Sequence, residues 1–190
     1  MEHRRKSIST ILRLFALAAA FICAAAFAVP AAAENGDVPE RDLYEFSIQA
    51  MEEGRSLRVC GLMRLTYVNR SADTMYSIAL RLHANDVEAN CMAIGSVGAD
   101  GRSAAYTLSS DGGILTVFLP HEIAPGESTR LFMRFDMTLP ETGDRFGTNS
   151  TGYMLGNALP IAAMYENGAW RTEPYYSNGD SFYSRIADYK

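Results

Sequence analysis

Histidine and cysteine are scarce in this 190-residue chain, with three of each, and the scarcity narrows the chemistry before any fold is drawn. His3 and Cys23 fall in an apolar N-terminal leader, which leaves His83, His121, Cys60 and Cys91 as scattered nitrogen and sulfur ligands. A closed zinc site needs four such side chains at short, paired spacings. His121-Glu122 looks like the start of His-Glu-x-x-His, but the sequence runs on as Ile123-Ala124-Pro125. Proline stands where the second histidine would be, and without helical spacing two ligands cannot share one face. His121 and Glu122 therefore read as loop residues, and His83 as the end of a strand.

Other absences exclude further classes. No Gly-x-Ser-x-Gly elbow is present, nor the βα units that would present one. The glycines from Gly95 to Gly101 lead into no helix, so they make no phosphate cradle. Basic charge is in deficit, with 17 Lys and Arg against 22 Asp and Glu, which speaks against nucleic acid and anionic membrane surfaces as partners. No stretch beyond the leader carries a 3.6-residue apolar stripe, so helices are not expected to build the fold.

The leader has the three parts of an export signal. Arg4, Arg5, Lys6 and Arg13 form a basic start, Leu14 to Val29 is apolar, and Ala31-Ala32-Ala33 supplies small residues for cleavage after Ala33. The apolar run falls short of the roughly 20 residues that cross a bilayer core, so residues 1–33 read as a cleaved signal peptide with no membrane span left behind, and an uncleaved anchor is the lesser alternative. Ile22 precedes Cys23 where a lipoprotein signal wants a small residue, which argues against lipidation. The remaining chain is acidic and long enough for one domain of about 100 to 150 residues. Residues 34–42, with Gly36 and Pro39, read as a flexible lead-in. In an exported chain Cys60 and Cys91 could close a disulfide loop of about 30 residues or remain two thiols. The parity of Cys60, on a strand face with Arg58, Arg64 and Thr66, tempers the first reading.

From residue 43 the pattern has period two, which predicts strands. Tyr44, Phe46, Ile48 and Ala50 alternate with polar residues, then Leu57, Val59, Met63, Leu65 and Tyr67 form the inner set of a longer strand. After a turn at Asn69 to Asp73, Tyr76, Ile78, Leu80 and Leu82 share a face. Weaker signals give a strand from Cys91 to Val97 and a turn at Ala99-Asp100-Gly101. Ser103 to Ser109 and Ile114 to Leu119 flank Asp111-Gly112-Gly113 as a hairpin. Pro125-Gly126 turns the chain into the clearest strand, with Leu131, Met133, Phe135, Met137 and Leu139 inward and Arg130, Arg134, Asp136 and Thr138 outward. Met154 to Met164 reads as a final strand that Pro160 places at an edge or bend. Turn signals every eight to twelve residues or so make residues 43–190 an all-β, antiparallel β-sandwich.

Two constellations remain. Asp136 with Glu141, or Asp144 with Asp180, could pair as hydrolytic carboxylates, but an acidic chain without a recognisable cleft reads them as solvated surface acids. Trp170, Tyr175, Tyr176, Phe182, Tyr183 and Tyr189 crowd the last 21 residues. Such a cluster could bind a sugar or peptide, or pack against a partner domain. No catalytic, cofactor-binding or metal-ligating residue is assigned.

Three segments resemble the N-terminal β domain of bacterial zinc aminopeptidases related to aminopeptidase N. The first is Gly61-Leu-Met-Arg-Leu-Thr-Tyr-Val-Asn-Arg-Ser71 with the strand Met75 to Leu82. The second is Leu119-Pro120, Pro125-Gly-Glu-Ser128 and Phe135 to Pro140. The third and most specific is the tail: Arg145-Phe-Gly, Leu155 to Tyr165, and Gly179 to Lys190. Ala158-Leu159-Pro160 departs mildly from the family, which often has an aromatic before the proline of the tail segment. The resemblance covers about Leu43 to Lys190 and implies a saddle-like sandwich, cut short at its C-terminal end, that covers and shapes an active site without performing chemistry. Zinc, its ligands and the general base would then belong to a following catalytic domain or peptidase subunit, the implied partner, with a peptide as possible ligand. The other reading of the same residues is a stand-alone secreted immunoglobulin-like module that binds peptide or glycan.

Overall fold

The computed structural model describes residues 38–142, 145–176, 178 and 182–190. The chain falls into two compact units, Met1–Glu34 and Asn35–Lys190, and the described residues belong to the second. The signal segment 1–33, nearly all of the lead-in, Asp144 and Asp180 lie outside them. The described residues are almost wholly strands and turns, and two sheets, antiparallel except for one edge strand, enclose one core.

The larger sheet is built around β1 (Asp42–Glu53), β2 (Ser56–Val68) and β8 (Ser128–Thr138). Gly54 and Arg55 make the two-residue turn between β1 and β2, and Gly54 supplies the positive φ of 67° that the turn requires. β4 (Met92–Ala99) pairs with the far side of β8, and β5 (Arg102–Ser103) returns on β4 through Asp100-Gly101, both at positive φ. β14 (Ala187–Tyr189) closes the opposite edge by pairing parallel with β1, so the strand order is β14-β1-β2-β8-β4-β5. The smaller sheet contains β3 (Met75–Arg81), β6 (Tyr106–Leu108), β7 (Ile114–Ile123) and β11 (Ile161–Ala162), in the order β11-β3-β7-β6. Two small hairpins complete the tail: β9 (Phe146–Asn149) with β10 (Gly152–Leu155), and β12 (Tyr165–Glu166) with β13 (Ala169–Trp170).

The inner sets of β2 and β8 are those the alternation predicts. Leu57, Val59, Met63, Leu65 and Tyr67 are buried, and so are Leu131, Met133, Phe135, Met137 and Leu139. They join Ile78, Leu80, Leu115 and Val117 of the smaller sheet in one cluster. Gly61 interrupts the large residues of β2 because the Phe135 ring lies across it; a Cβ at Gly61 would stand 2.1 Å from that ring. The two sheets are also joined by a buried hydrogen bond, in which the phenol oxygen of Tyr44 accepts the N–H of Ala162 at 2.9 Å.

Elsewhere the structure departs from the alternation. Ile48 and Ala50 are exposed, because the apolar face of β1 outruns the cover that the rest of the domain provides. Tyr76 is 65% exposed and Met75 takes the inward place. The cause is a register break: between the pairs Met75↔Ile123 and Ser77↔Phe118, β7 holds four residues opposite Tyr76 alone, and one of them, Pro120, has no N–H to donate. Cys60 is buried on the outer face of the large sheet. Residues 103–109 divide between the sheets, β5 in one and β6 in the other. The tail expected as one strand makes two, β10 and β11. His83 begins a helix, α1 (His83–Val87), and does not end a strand. Asn85 fastens this single turn, bonding both the N–H and the C=O of Met92 and the C=O of Gly112.

Candidate functional site

The tail that carries the crowded aromatics is tied to the sandwich at three places. The first is Asp42, 1% exposed at the start of β1. Its carboxylate accepts the N–H of Val68 at 3.0 Å and Nη1 of Arg70 at 3.0 Å, and pairs with Arg185 of the tail at 3.4 Å. Arg185 also donates to the carbonyl of Val68 and lies 5.3 Å above the ring of Tyr67. Burial pushes the Tyr67 phenol up to about 12, against the opposing pull of the Arg185 charge. Trp170 packs on the same ring at 5.8 Å and on Tyr165 at 5.1 Å.

Arg81 is the second tie. It is buried on β3, and its Nη2 donates to the carbonyls of Arg171 and Glu173 at 3.0 Å each. A guanidinium spends its donors on tail carbonyls only if that segment holds a fixed path. The third tie is α1. Phe182 meets the His83 ring edge-on at 4.7 Å, the Arg145 guanidinium lies 5.2 Å from the Phe182 ring, and Tyr175 packs 6.0 Å away. His83 Nδ1 faces Asp86 at 3.1 Å, and its Nε2 is buried with no hydrogen-bond partner.

The six tail aromatics therefore do not act as one patch. Trp170, Tyr175 and Phe182 are partly buried in intramolecular contacts, and Tyr189 stacks on Tyr44 at 5.0 Å while staying 56% exposed. Tyr176 (64% exposed) and Tyr183 (56%) face outward, together with Ile186 (82%), which the alternation had not singled out. Only a large apolar residue at 186, next to Arg185 and two residues before Asp188, could have flagged it.

His121 and Glu122 are exposed on β7, where neighbours in an extended strand point to opposite faces. The hydrogen bond of Tyr76 to Glu122 raises the phenol pKa. Asp136 is bound by Arg58, Nε to Oδ1 at 3.0 Å and Nη2 to Oδ2 at 2.5 Å, and this pairing holds its carboxyl below the usual range. The same pair lies beside the Cys60 thiol, which donates to Asp136 at 3.4 Å. Cys91 bonds the carbonyl of Thr138, and burial pushes its thiol up to about 11. Neither cysteine is in a disulfide. β8 stands between their strands, so two spacings of about 4.8 Å separate them, beyond the roughly 7 Å reach of a disulfide between Cα atoms. Among the described residues no three His, Cys, Asp or Glu side chains are grouped to hold a metal.

Glu141 lines an open polar cleft of about 660 Å³ between the β1–β2 turn and the β9–β10 hairpin, with Arg55, Thr142, Ser150, Thr151 and Tyr153. With this geometry in view, the chain compares with known proteins only at the level of structure. No family model and no curated protein matches it. Solved structures that overlap it include an M1 zinc metallopeptidase variant from Deinococcus radiodurans bound to a Tyr-Ser-Ala substrate, at 18% identity and a TM-score of 0.42. The overlap covers 54% of this chain and 22% of that one. A two-domain M1 zinc metallopeptidase variant bound to L-tryptophan overlaps at 16% identity and a TM-score of 0.39, covering 56% and 22%. The chain thus spans about a fifth of the length of these proteins, and overlaps of this size establish neither family nor activity.

Proposed function

We propose that this chain is an exported, non-catalytic domain of an aminopeptidase-N-like zinc metallopeptidase, which covers and shapes an active site supplied by a partner domain or subunit. The observation that carries the reading is the state of the tail. Described residues of the tail are held by Asp42, Arg81 and His83, yet Tyr176, Tyr183 and Ile186 turn to solvent. Ordering large side chains costs entropy and exposing them forfeits burial. Held residues that present exposed aromatic and aliphatic groups are what a docking surface for another domain requires. Zinc would be held by that partner.

The test is reconstitution. A catalytic domain of an aminopeptidase-N-like zinc peptidase, made without its own N-terminal domain, is titrated with this chain while KM for a dipeptide amide is followed. The reading expects a lower KM that the Ile186→Ser, Tyr176→Ser double variant does not produce. An unchanged KM at saturating chain contradicts it.

A second reading, a free-standing binding module, draws on the cleft, whose hydroxyls and Tyr153 suit a glycan or peptide end. It expects saturable binding lost on Tyr153→Ala. Trp170→Ala is the poorer probe, since Trp170 packs on Tyr67 and Tyr165.

A further inference from the structure

The polar cleft beside the β9–β10 hairpin has a floor of three strand segments. Glu141 bridges Thr148 in parallel, with the Thr142 N–H bonded to the Thr148 carbonyl at 3.1 Å and the Thr148 N–H to the Pro140 carbonyl at 2.8 Å. Thr148 in turn stands opposite Tyr153 in the hairpin register. Paired residues of neighbouring strands put their side chains on one face, so Glu141, Thr148 and Tyr153 form a row two strand spacings, or about 10 Å, long. Arg55 lines the cleft from the β1–β2 turn. The turn is tied to the floor by the Thr148 hydroxyl, which donates to the Arg55 carbonyl at 3.2 Å, and by Ser56, which donates to the Leu139 carbonyl at 2.8 Å.

The hydrogen bonds within this row give the cleft a sense. A threonine hydroxyl has one proton to donate. Thr148 gives its proton to the Arg55 carbonyl, Thr142 to the Phe146 carbonyl and Thr151 to Asn149 Oδ1. All three therefore have only lone pairs left to offer, and the Glu141 carboxylate adds further acceptors, while the Arg55 guanidinium supplies donors. Among the described lining residues Arg55 and Glu141 carry the charge, one of each sign, so the cleft favours neither anions nor cations. A peptide end brings a single charge and meets a like charge beside its counter-charge. A sugar brings neighbouring hydroxyls that donate and accept at once, and an apolar ring face for Tyr153, which is 38% exposed.

We propose that this cleft binds an uncharged glycan chain, with one sugar ring stacked on Tyr153 and the next held by its hydroxyls between Glu141, Thr148 and Arg55. The volume of about 660 Å³ is in the range of small-ligand sites, and the bonds that tie its two walls mean that little ordering is left for the ligand to impose. Glu141 and Thr148 accept from the sugar hydroxyls, and Arg55 donates to their oxygens. The proposal rests on the cleft being a binding site, which is the second reading of the function, and names what that site takes.

The test is an NMR titration of the full chain with cellohexaose, maltohexaose and mannohexaose, and with tetraalanine as the peptide probe. The amides of Ser150, Thr151 and Tyr153 should shift saturably with at least one of the sugars below about 10 mM, and stay in place with tetraalanine. Tyr153→Ala should weaken sugar binding about tenfold or more, whereas Tyr153→Phe, which keeps the ring, should leave it nearly unchanged. Thr148→Val removes the acceptor oxygen and should weaken binding as well; the exposed Tyr153 variants serve if that chain does not fold. Sugar binding that survives Tyr153→Ala overturns the proposal. Shifts with tetraalanine, whether or not a sugar binds, keep the cleft as a binding site but overturn its assignment to glycans. No shift with any probe overturns the assignment and the reading it rests on together.

Discussion

Arg185, near the end of the tail, reaches the buried carboxylate of Asp42 at the start of β1, 3.4 Å away. Asp42 also holds Val68 and Arg70, so one carboxylate joins the first strand, the end of the second and the tail. Removing it leaves two guanidinium groups and a backbone N–H without their partner. Asp42→Ala should cost about 2 to 4 kcal/mol, below the full figure for buried pairs because both arginines keep some contact with water. Asp42→Asn should cost less, as its amide oxygen still accepts from Val68. Urea denaturation measures both, and limited proteolysis should show the tail cut first in Asp42→Ala.

The Tyr44 to Ala162 bond makes a sharper prediction. Tyr44→Phe keeps the ring and its stacking on Tyr189 but orphans the buried N–H of Ala162. The loss should be about 1 to 3 kcal/mol, and the Ala162 amide should gain exchange more than its neighbours do. A neutral result would mean that β11 is not held by this contact.

Gly61→Ala should destabilise by about 1 to 3 kcal/mol through overpacking, since the added methyl meets the Phe135 ring at 2.1 Å. Phe135→Leu in the same chain should recover part of that loss. A double-mutant cycle measures the coupling, and strict additivity would disprove the contact.

Stability should fall on the alkaline side. The folded chain raises the Cys91 thiol to about 11 and the Tyr67 phenol to about 12, each chiefly by burial, whereas unfolded values are about 8.5 and 10. The fold thus favours the neutral forms, and their contribution is complete below the unfolded values and lost as pH rises toward the folded ones. Thermal midpoints should hold to about pH 8.5 and then decline, more steeply above about pH 10. Cys91→Ser should flatten the first part of the decline and leave the second.

What was legible in the sequence followed unbroken alternation. In β2 and β8 every second residue is large and apolar apart from Gly61 and Thr129, and both strands lie centrally with neighbours on each side, so period two maps directly onto burial. Where cover is partial, the same pattern misleads: Ile48 and Ala50 keep the phase of Tyr44 but lie beyond the apolar layer. Tyr76 keeps the phase of Ile78, yet the excursion of β7 across Pro120 reverses it, and a bulge leaves no mark in the strand it disturbs. The one-turn helix α1 is too short for a 3.6-residue stripe. Cys60 is buried on the polar face, beside the Arg58 and Asp136 pair, a contact 76 residues away in sequence. The ties of the tail, Asp42 to Arg185 and Arg81 to Arg171 and Glu173, are equally non-local.

The most direct test of the proposed role is an activity measurement on the chain alone. Purified chain is incubated with zinc and leucine nitroanilide, and released nitroaniline is followed with and without a chelator. A non-catalytic domain predicts no release above the zinc blank; release that the chelator abolishes would show that this chain holds a working metal centre and would contradict the account.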